Sequence, residues 1–287
     1  MRLDWLDDLL AVVDSGSFAR AADARCLTQS AFTRRIRAIE DSVGAELFDR
    51  SRKPVELLPA IRAQEPEMRA LAAGLRRLRE GLRRSRDGVG GVITFACQHA
   101  ITTTVSPRLV EILTRSGDRS VKVRSGNRDE CLVMLLSGEV ELAVMYEVAG
   151  ERSVSASKGF DAVTLGQDEL VPVVAPGVID QTDWPMIAYP SGVFLGEIVD
   201  RMILPRVTPD IRFVRKAETA LTLAALQYAL SGIGVAWLPK SMVTGDVAAG
   251  RLVMLDDKLP VQELDIRLIR LSDTTRPDLE AAWELLL

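Results

Sequence analysis

The sequence predicts an α/β protein in three parts: an N-terminal all-α winged helix-turn-helix, a linker helix, and a two-lobed α/β domain. Three observations predict it. Two short helices flank a tight turn near residue 25, a narrow leucine seam runs through residues 59–88, and from residue 92 onward apolar strands alternate with helices. A chain of 287 residues has room for two domains and a large core. Its 47% hydrophobic and 26% charged residues are an ordinary globular mixture, which excludes a disordered chain.

The helix pair occupies residues 17–40, S-F-A-R-A-A-D-A-R-C-L-T-Q-S-A-F-T-R-R-I-R-A-I-E. Ser17 offers an oxygen to the orphan amides of the first helix, Arg25, Cys26 and Leu27 make the turn, and Thr28 caps the second helix. In that second helix Phe32, Ile36, Ile39 and Val43 recur at helical spacing and must share a buried face. Opposite them fall Gln29, Ser30, Thr33, Arg34 and Arg37, with no carboxylate before Glu40. Solvated helix faces usually mix both charge signs. A hydrogen-bonding, cationic stripe held across a partner helix suits a DNA major groove.

A net charge of −4 looks wrong for such a partner until its distribution is counted. Residues 1–58 are net −1, residues 59–88 net +4, and residues 89–287 net −7. Phosphate binding needs cations at the contact surface rather than a basic average. Ahead of the helix pair, Leu3, Leu6, Leu9, Leu10 and Val13 form an apolar helical face that Gly16 terminates, and Phe18, Ala21 and Ala22 complete its core. After it, residues 49–57 read as a short hairpin whose loop carries Arg50, Arg52 and Lys53. A basic hairpin after a recognition helix is a wing, placed for flanking backbone or the minor groove.

S-G-S-F-A-R-A-A, L-T-Q-S-A-F-T-R-R-I-R-A-I-E and V-G-A-E-L-F-D-R together resemble the N-terminal domain of LysR-type transcriptional regulators over about residues 3–58. The resemblance implies a DNA-binding domain at 1–58 whose contacts fall on Ser17, Thr28, Gln29, Ser30, Thr33, Arg34 and Arg37, with Arg50, Arg52 and Lys53 in the wing. Gln and Arg suit that role because each can make two hydrogen bonds to one base edge. Arg25 stands where the family has leucine, and Leu58-Pro59-Ala60-Ile61 replaces its threonine, proline, alanine, glycine, losing a helix cap worth about 1 kcal/mol. Arg25 with F-T-R-R-I-R-A-I-E is similar to the hypochlorite-responsive subgroup.

Between residues 59 and 88, Met68, Leu71, Leu75, Leu78 and Leu82 alternate three and four apart, a heptad seam that needs a partner helix. Pro66 and Gly74 predict a kink or a late start near Glu67. The resemblance makes this the linker through which two copies pair, in a homodimer or homotetramer, so that two reading units face a pseudo-palindrome.

The remainder, 89–287, is the effector-binding domain that the resemblance implies. Strands are expected at 92–97, 121–124, 142–146, 170–174, 186–189, 211–214 and 265–270, with helices between them, as in a parallel sheet flanked by helices. S-G-E-V-E-L-A-V-M and G-I-G-V-A-W-L-P resemble the effector domain of the same family, which shares the fold of periplasmic solute-binding proteins. The chain then crosses between lobes near Thr164 and Leu264, giving lobe I about 92–164 and 265–287 and lobe II about 165–264.

Ligands sit at the carboxyl ends of strands in such sheets, which nominates Gln98, His99, Thr102, Thr103, Ser125, Asn127 and Arg128 from one lobe and Tyr189 and Ser191 from the other. No nucleophile elbow, Walker loop or dinucleotide glycine pattern occurs, so no enzyme, catalytic residue or cofactor is expected. One histidine and three scattered cysteines give no metal site or disulfide framework. The N-terminus lacks a secretory pattern and no run reaches about 18 apolar residues, so a cytoplasmic protein with no membrane partner is expected. The expected partners are double-stranded DNA, a second copy, a small-molecule effector and RNA polymerase. The alternatives are an oxidant signal read through Cys26, Cys97, Cys131 or methionines, and, more remotely, a solute-binding module.

Overall fold

The computed structural model describes residues 2–87, 92–115, 119–148, 159–178, 183–272 and 276–287. Two compact units result, one of Met1–Gly88 with the short segment Leu136–Glu139, the other of the remainder from Val89.

In the first unit the order is α1 (Leu3–Ser15), α2 (Phe18–Ala24), α3 (Gln29–Val43), β1 (Phe48–Asp49), β2 (Glu56–Leu57), α4 (Pro59–Arg62) and α5 (Glu65–Asp87), with β1 and β2 antiparallel. The caps fall where the sequence places them: Ser17 accepts from the Arg20 amide at 3.5 Å and Thr28 from the Ala31 amide at 3.3 Å. Leu9, Val12, Ala21, Ala22, Phe32, Ile36, Ile39, Leu47, Phe48 and Leu57 pack into one core. Val43, expected on that face, is 46% exposed, because α3 ends there and its last turn projects past the core. Gly16 ends α1 at a φ of 61°, and a Cβ there would meet Pro54 Cβ at 2.7 Å, so only glycine lets the wing loop close on α1.

The helix α5 starts with Pro66 in its first turn and passes Gly74 without a break. Its seam divides: Met68 packs with Ala72 against Leu3, Leu6 and Leu10 of α1, while Leu71, Leu75, Leu78 and Leu82 are exposed. Met68 thus belongs to the core of the first unit and not to the exposed stripe. The entry to α4 has Leu58 at its cap with no side-chain hydrogen bond and Pro59 at its first position, as the lost threonine predicts.

The second unit runs β3 (Val92–Gln98), α6 (His99–Thr102), α7 (Ser106–Thr114), β4 (Ser120–Gly126), α8 (Arg128–Leu136), β5 (Leu142–Glu147), β6 (Phe160–Val174), β7 (Asp183–Ala188), α9 (Phe194–Ile198), β8 (Arg212–Glu218), α10 (Thr222–Leu230), β9 (Ala236–Pro239), α11 (Lys240–Ala248), β10 (Val253–Met254), β11 (Gln262–Leu271) and α12 (Pro277–Leu286). The main sheet is ordered β10-β6-β11-β5-β3-β4, with β9 also on β6, and β7 pairs with β8 apart from it. An all-parallel sheet is corrected here. β3 is parallel to β4 and β5, and β7 to β8, but the long β6 and β11 run antiparallel to each other and β11 antiparallel to β5. Both expected crossings lie in that ladder, Thr164 opposite Arg267 and Leu264 opposite Asp168, with a register shift between Ile266 and Arg267.

Candidate nucleic-acid interface and effector cleft

Thr28, Gln29, Ser30, Thr33, Arg34 and Arg37 line one shallow, open depression along α3. Among the described residues Gln29, Thr33, Arg34 and Arg37 have no hydrogen-bond or ion-pair partner, so their donors and acceptors face water. The neighbouring arginines are held differently. Arg35 turns inward to Asp8 at 2.7 Å, and Arg25 Nε donates to the other oxygen of Asp8 at 2.8 Å. Glu40, the carboxylate nearest the stripe, is buried and accepts from the Leu47 amide at 3.0 Å and from Arg50.

Arg50 departs from the expected wing contacts. Its guanidinium is committed to Glu40 and lies 5.3 Å from the Phe18 ring centre, so it braces the wing against α2 and α3. Arg52 sits 3.2 Å from Asp49 yet stays 71% exposed, free to exchange that partner for another anion. Two hydrogen bonds from Ser51 hold the Asp49 carboxyl below its usual range. Lys53 is exposed with no partner among the described residues. Ser17 serves as the α2 cap. Asp8 is the ion-pairing residue beside α3 that periodicity missed; the signal was a carboxylate between Leu6 and Leu9, on the apolar face of α1.

In the second unit Gln98, His99, Asn127 and Tyr189 do come together, with Ala100, Val193, Phe194, Leu195, Ala220 and Thr222, around a cavity of about 20 Å³. That is room for one water. Thr102 and Ser125 stand outside the lining and support it: His99 Nδ1 lies 2.8 Å from Ser125 Oγ, which lies 2.9 Å from Thr102 Oγ1. Thr103 and Ser191 are exposed and outside the lining, because α6 is a single turn and the 190–193 bend points outward. Arg128 is likewise outside it; its guanidinium stacks 4.4 Å from the Phe194 ring centre.

The polar groups of this cleft are bonded within the fold. Gln98 Oε1 accepts from the buried Tyr146 amide at 2.9 Å, and Asn127 exchanges two bonds with Glu130 as a helix-capping box. Tyr189 Oη donates to the Trp237 carbonyl at 3.0 Å, and burial raises its phenol above the usual range. On β6, buried Asp168 accepts from Tyr146 Oη at 2.6 Å and from the Ser241 amide and hydroxyl, tying β5 to the start of α11. Phe194, Leu195 and Thr222 were missed as lining residues, since they read as ordinary core.

Residues 3–60 match the family model described as bacterial regulatory helix-turn-helix protein, lysR family, and residues 86–287 match the LysR substrate binding domain. The HTH-type transcriptional regulator YjiE of Escherichia coli (strain K12) is 25% identical over 286 residues, spanning 97% of this chain and 92% of YjiE. VV2_1132, a LysR family transcriptional regulator of solved structure, is 26% identical with a TM-score of 0.61, covering 100% of this chain and 99% of its own. Full-length HypT from Salmonella typhimurium, described as a hypochlorite-specific LysR-type regulator, is also 26% identical, with a TM-score of 0.61 and coverage of 100% and 97%.

Proposed function

The chain belongs to the LysR family of bacterial helix-turn-helix regulators, and from that premise we propose how its parts divide the work of a DNA-binding transcriptional regulator with an effector-binding domain. Residues 1–58 bind double-stranded DNA, 59–88 pair with a second copy, and 89–287 bind a small effector in the cleft between lobe I and lobe II. The protein acts in the cytoplasm and carries out no catalysis. The carrying observation is the depression on α3, whose Gln29, Thr33, Arg34 and Arg37 are left without internal partners. A groove-reading edge has that form, because each unpaired donor is available to a base or phosphate.

The exposed leucines 71, 75, 78 and 82 support pairing through α5. The cleft supports a small ligand by its mix of an amide, an imidazole and the apolar Val193, Phe194 and Leu195. The similarity to HypT is the observation on the side of an oxidant signal. Against it, Cys97 and Cys131 are buried, and burial pushes each thiol up to about 12, away from the reactive thiolate. Cys26 is exposed, so an oxidant signal would fall to it or to methionines, and a dissolved effector is the reading we adopt for the cleft.

The test uses a duplex selected by the native protein from a random pool and a scrambled duplex of the same composition. Arg34→Ala lowers affinity for the selected duplex by roughly 10- to 100-fold and relaxes its base preference. Arg52→Ala weakens both duplexes alike and lowers the salt slope by about one. Equal losses on both duplexes for Arg34→Ala would remove α3 from base reading.

A further inference from the structure

The run Arg34-Arg35-Ile36-Arg37 offers three cations on α3, but only two of them are free. Successive residues on a helix point about 100° apart, which carries Arg35 round toward α1. There it meets Asp8, a carboxylate with 0% exposure, at 2.7 Å. The same carboxylate takes Arg25 Nε from the helix-turn-helix turn at 2.8 Å. A carboxylate removed from water must keep its counter-charges, since leaving it unpaired is strongly unfavourable. Two arginines beside the reading stripe are thus held by a demand that an exposed ion pair would not impose. Neither is sealed off: the Arg25 and Arg35 side chains are 30% and 41% exposed, so each could turn outward if Asp8 lost its charge.

We propose that Asp8 is a specificity-determining residue: it withholds Arg25 and Arg35 from DNA phosphates, so that cation contacts at α3 come from Arg34 and Arg37. Phosphate contacts carry no sequence information and strengthen binding to every duplex alike. Keeping two of them out lowers the non-specific background while the base-reading edge is left intact. Asp7, 4.0 Å from Arg25 and paired with Arg76, retains part of Arg25 when Asp8 is neutralised, so Arg35 supplies most of the effect. This rests on α3 being the DNA-contacting helix. If that reading fails, Arg34→Ala weakens the selected and scrambled duplexes equally; if only the present inference fails, Arg34→Ala keeps its selective loss and the variants below move neither the slope nor the ratio.

The experiment measures full-length protein on the selected and scrambled duplexes between 50 and 200 mM salt. Asp8→Asn keeps the shape and removes the charge. It is expected to tighten binding to the scrambled duplex, shrink the selected-to-scrambled ratio, and steepen the salt dependence by roughly three- to fourfold in affinity over that range per freed arginine. Adding Arg25→Gln and Arg35→Gln to Asp8→Asn returns the slope to the native value. A purely structural role would weaken both duplexes with the slope unchanged, and that result overturns the proposal. Should Asp8→Asn fail to fold, Arg35→Gln alone decides: the slope and ratio stay native if Asp8 already withholds Arg35, whereas a slope shallower by about 0.9 shows that Arg35 touches phosphate in the native protein and overturns it.

Discussion

Gln29 and Gln98 both stand among hydroxyls and nitrogen-bearing side chains at proposed binding sites, yet the fold uses them in opposite ways. Gln29 projects from α3 with no partner among the described residues, in company with Thr33, Arg34 and Arg37. Gln98 is buried at the end of β3, its oxygen taken by the Tyr146 amide, and its neighbours His99, Asn127 and Tyr189 are bonded to Ser125, Glu130 and Trp237. An open edge can keep its polar groups unpaired because water satisfies them until a partner arrives. A cavity with room for one water cannot, so its polar groups must bond to one another. The polar edge of α3 is consequently preformed, whereas any guest larger than a water at the Gln98 cavity must first displace the side chains that line it.

Breaking the contrast begins with the largest effect, on the inner face of α3. Phe32 is fully buried, and Phe32→Ala is expected to destabilise the first unit by roughly 3–5 kcal/mol, read as a lowered unfolding midpoint. Duplex preference should persist at temperatures where the variant remains folded; its loss in a folded variant would mean that the two faces of α3 do not have separate jobs. A sharper comparison pairs the two glutamines. Gln98→Ala leaves the Tyr146 amide buried without an acceptor and should cost about 1–3 kcal/mol of stability, with DNA affinity in the absence of effector unchanged. Gln29→Ala should leave stability within about 0.5 kcal/mol and weaken binding to the selected duplex. Denaturation and titration of both variants settle the pair, and similar stability losses would end the distinction.

Much of this was legible beforehand, for physical reasons that differ between elements. Ser17, Thr28 and Gly16 declare helix ends because caps and left-handed termini admit few residue types, and α1, α2 and α3 follow to within a residue or two. The depression on α3 was readable because its whole lining comes from ten consecutive residues. The cleft was half readable: residues directly after strands were found, but Phe194 and Thr222 reach it only through the closure of one lobe on the other, which no local pattern encodes. Direction within the sheet was missed, although Leu264, Ile266 and Leu268 of β11 alternate with Asp265 and Arg267, the pattern of an antiparallel strand rather than of a parallel strand buried on both faces. Nor could spacing tell Arg35 from Arg34 and Arg37, or Arg50 from Arg52; burial of Asp8 and Glu40 makes those choices.

The smallest expected effect separates the cysteines of the two units. Cys26 is exposed in the helix-turn-helix turn, while Cys97 and Cys131 are buried in β3 and in α8. Burial pushes both of those thiols from 9.0 up to about 12, against weaker hydrogen bonds from Thr102 and the Gly126 backbone that pull the other way. A folded-state pKa above the unfolded one means that the native protein keeps protons the unfolded chain gives up. The stabilising contribution is therefore complete below about pH 9 and is lost progressively toward pH 12. At pH 10 the loss is on the order of 1 kcal/mol for each thiol. The raised phenols of Tyr146 and Tyr189 act with the same sign from about pH 9 upward, so the difference between native and Cys131→Ala midpoints from pH 7 to pH 10 reads the thiol. Cys131→Ala should remove on the order of 1 kcal/mol of the loss at pH 10. If instead Cys131→Ala and the native protein lose stability in parallel, the thiol is titrating as it would in water, and the argument that burial shields it from oxidants falls with it.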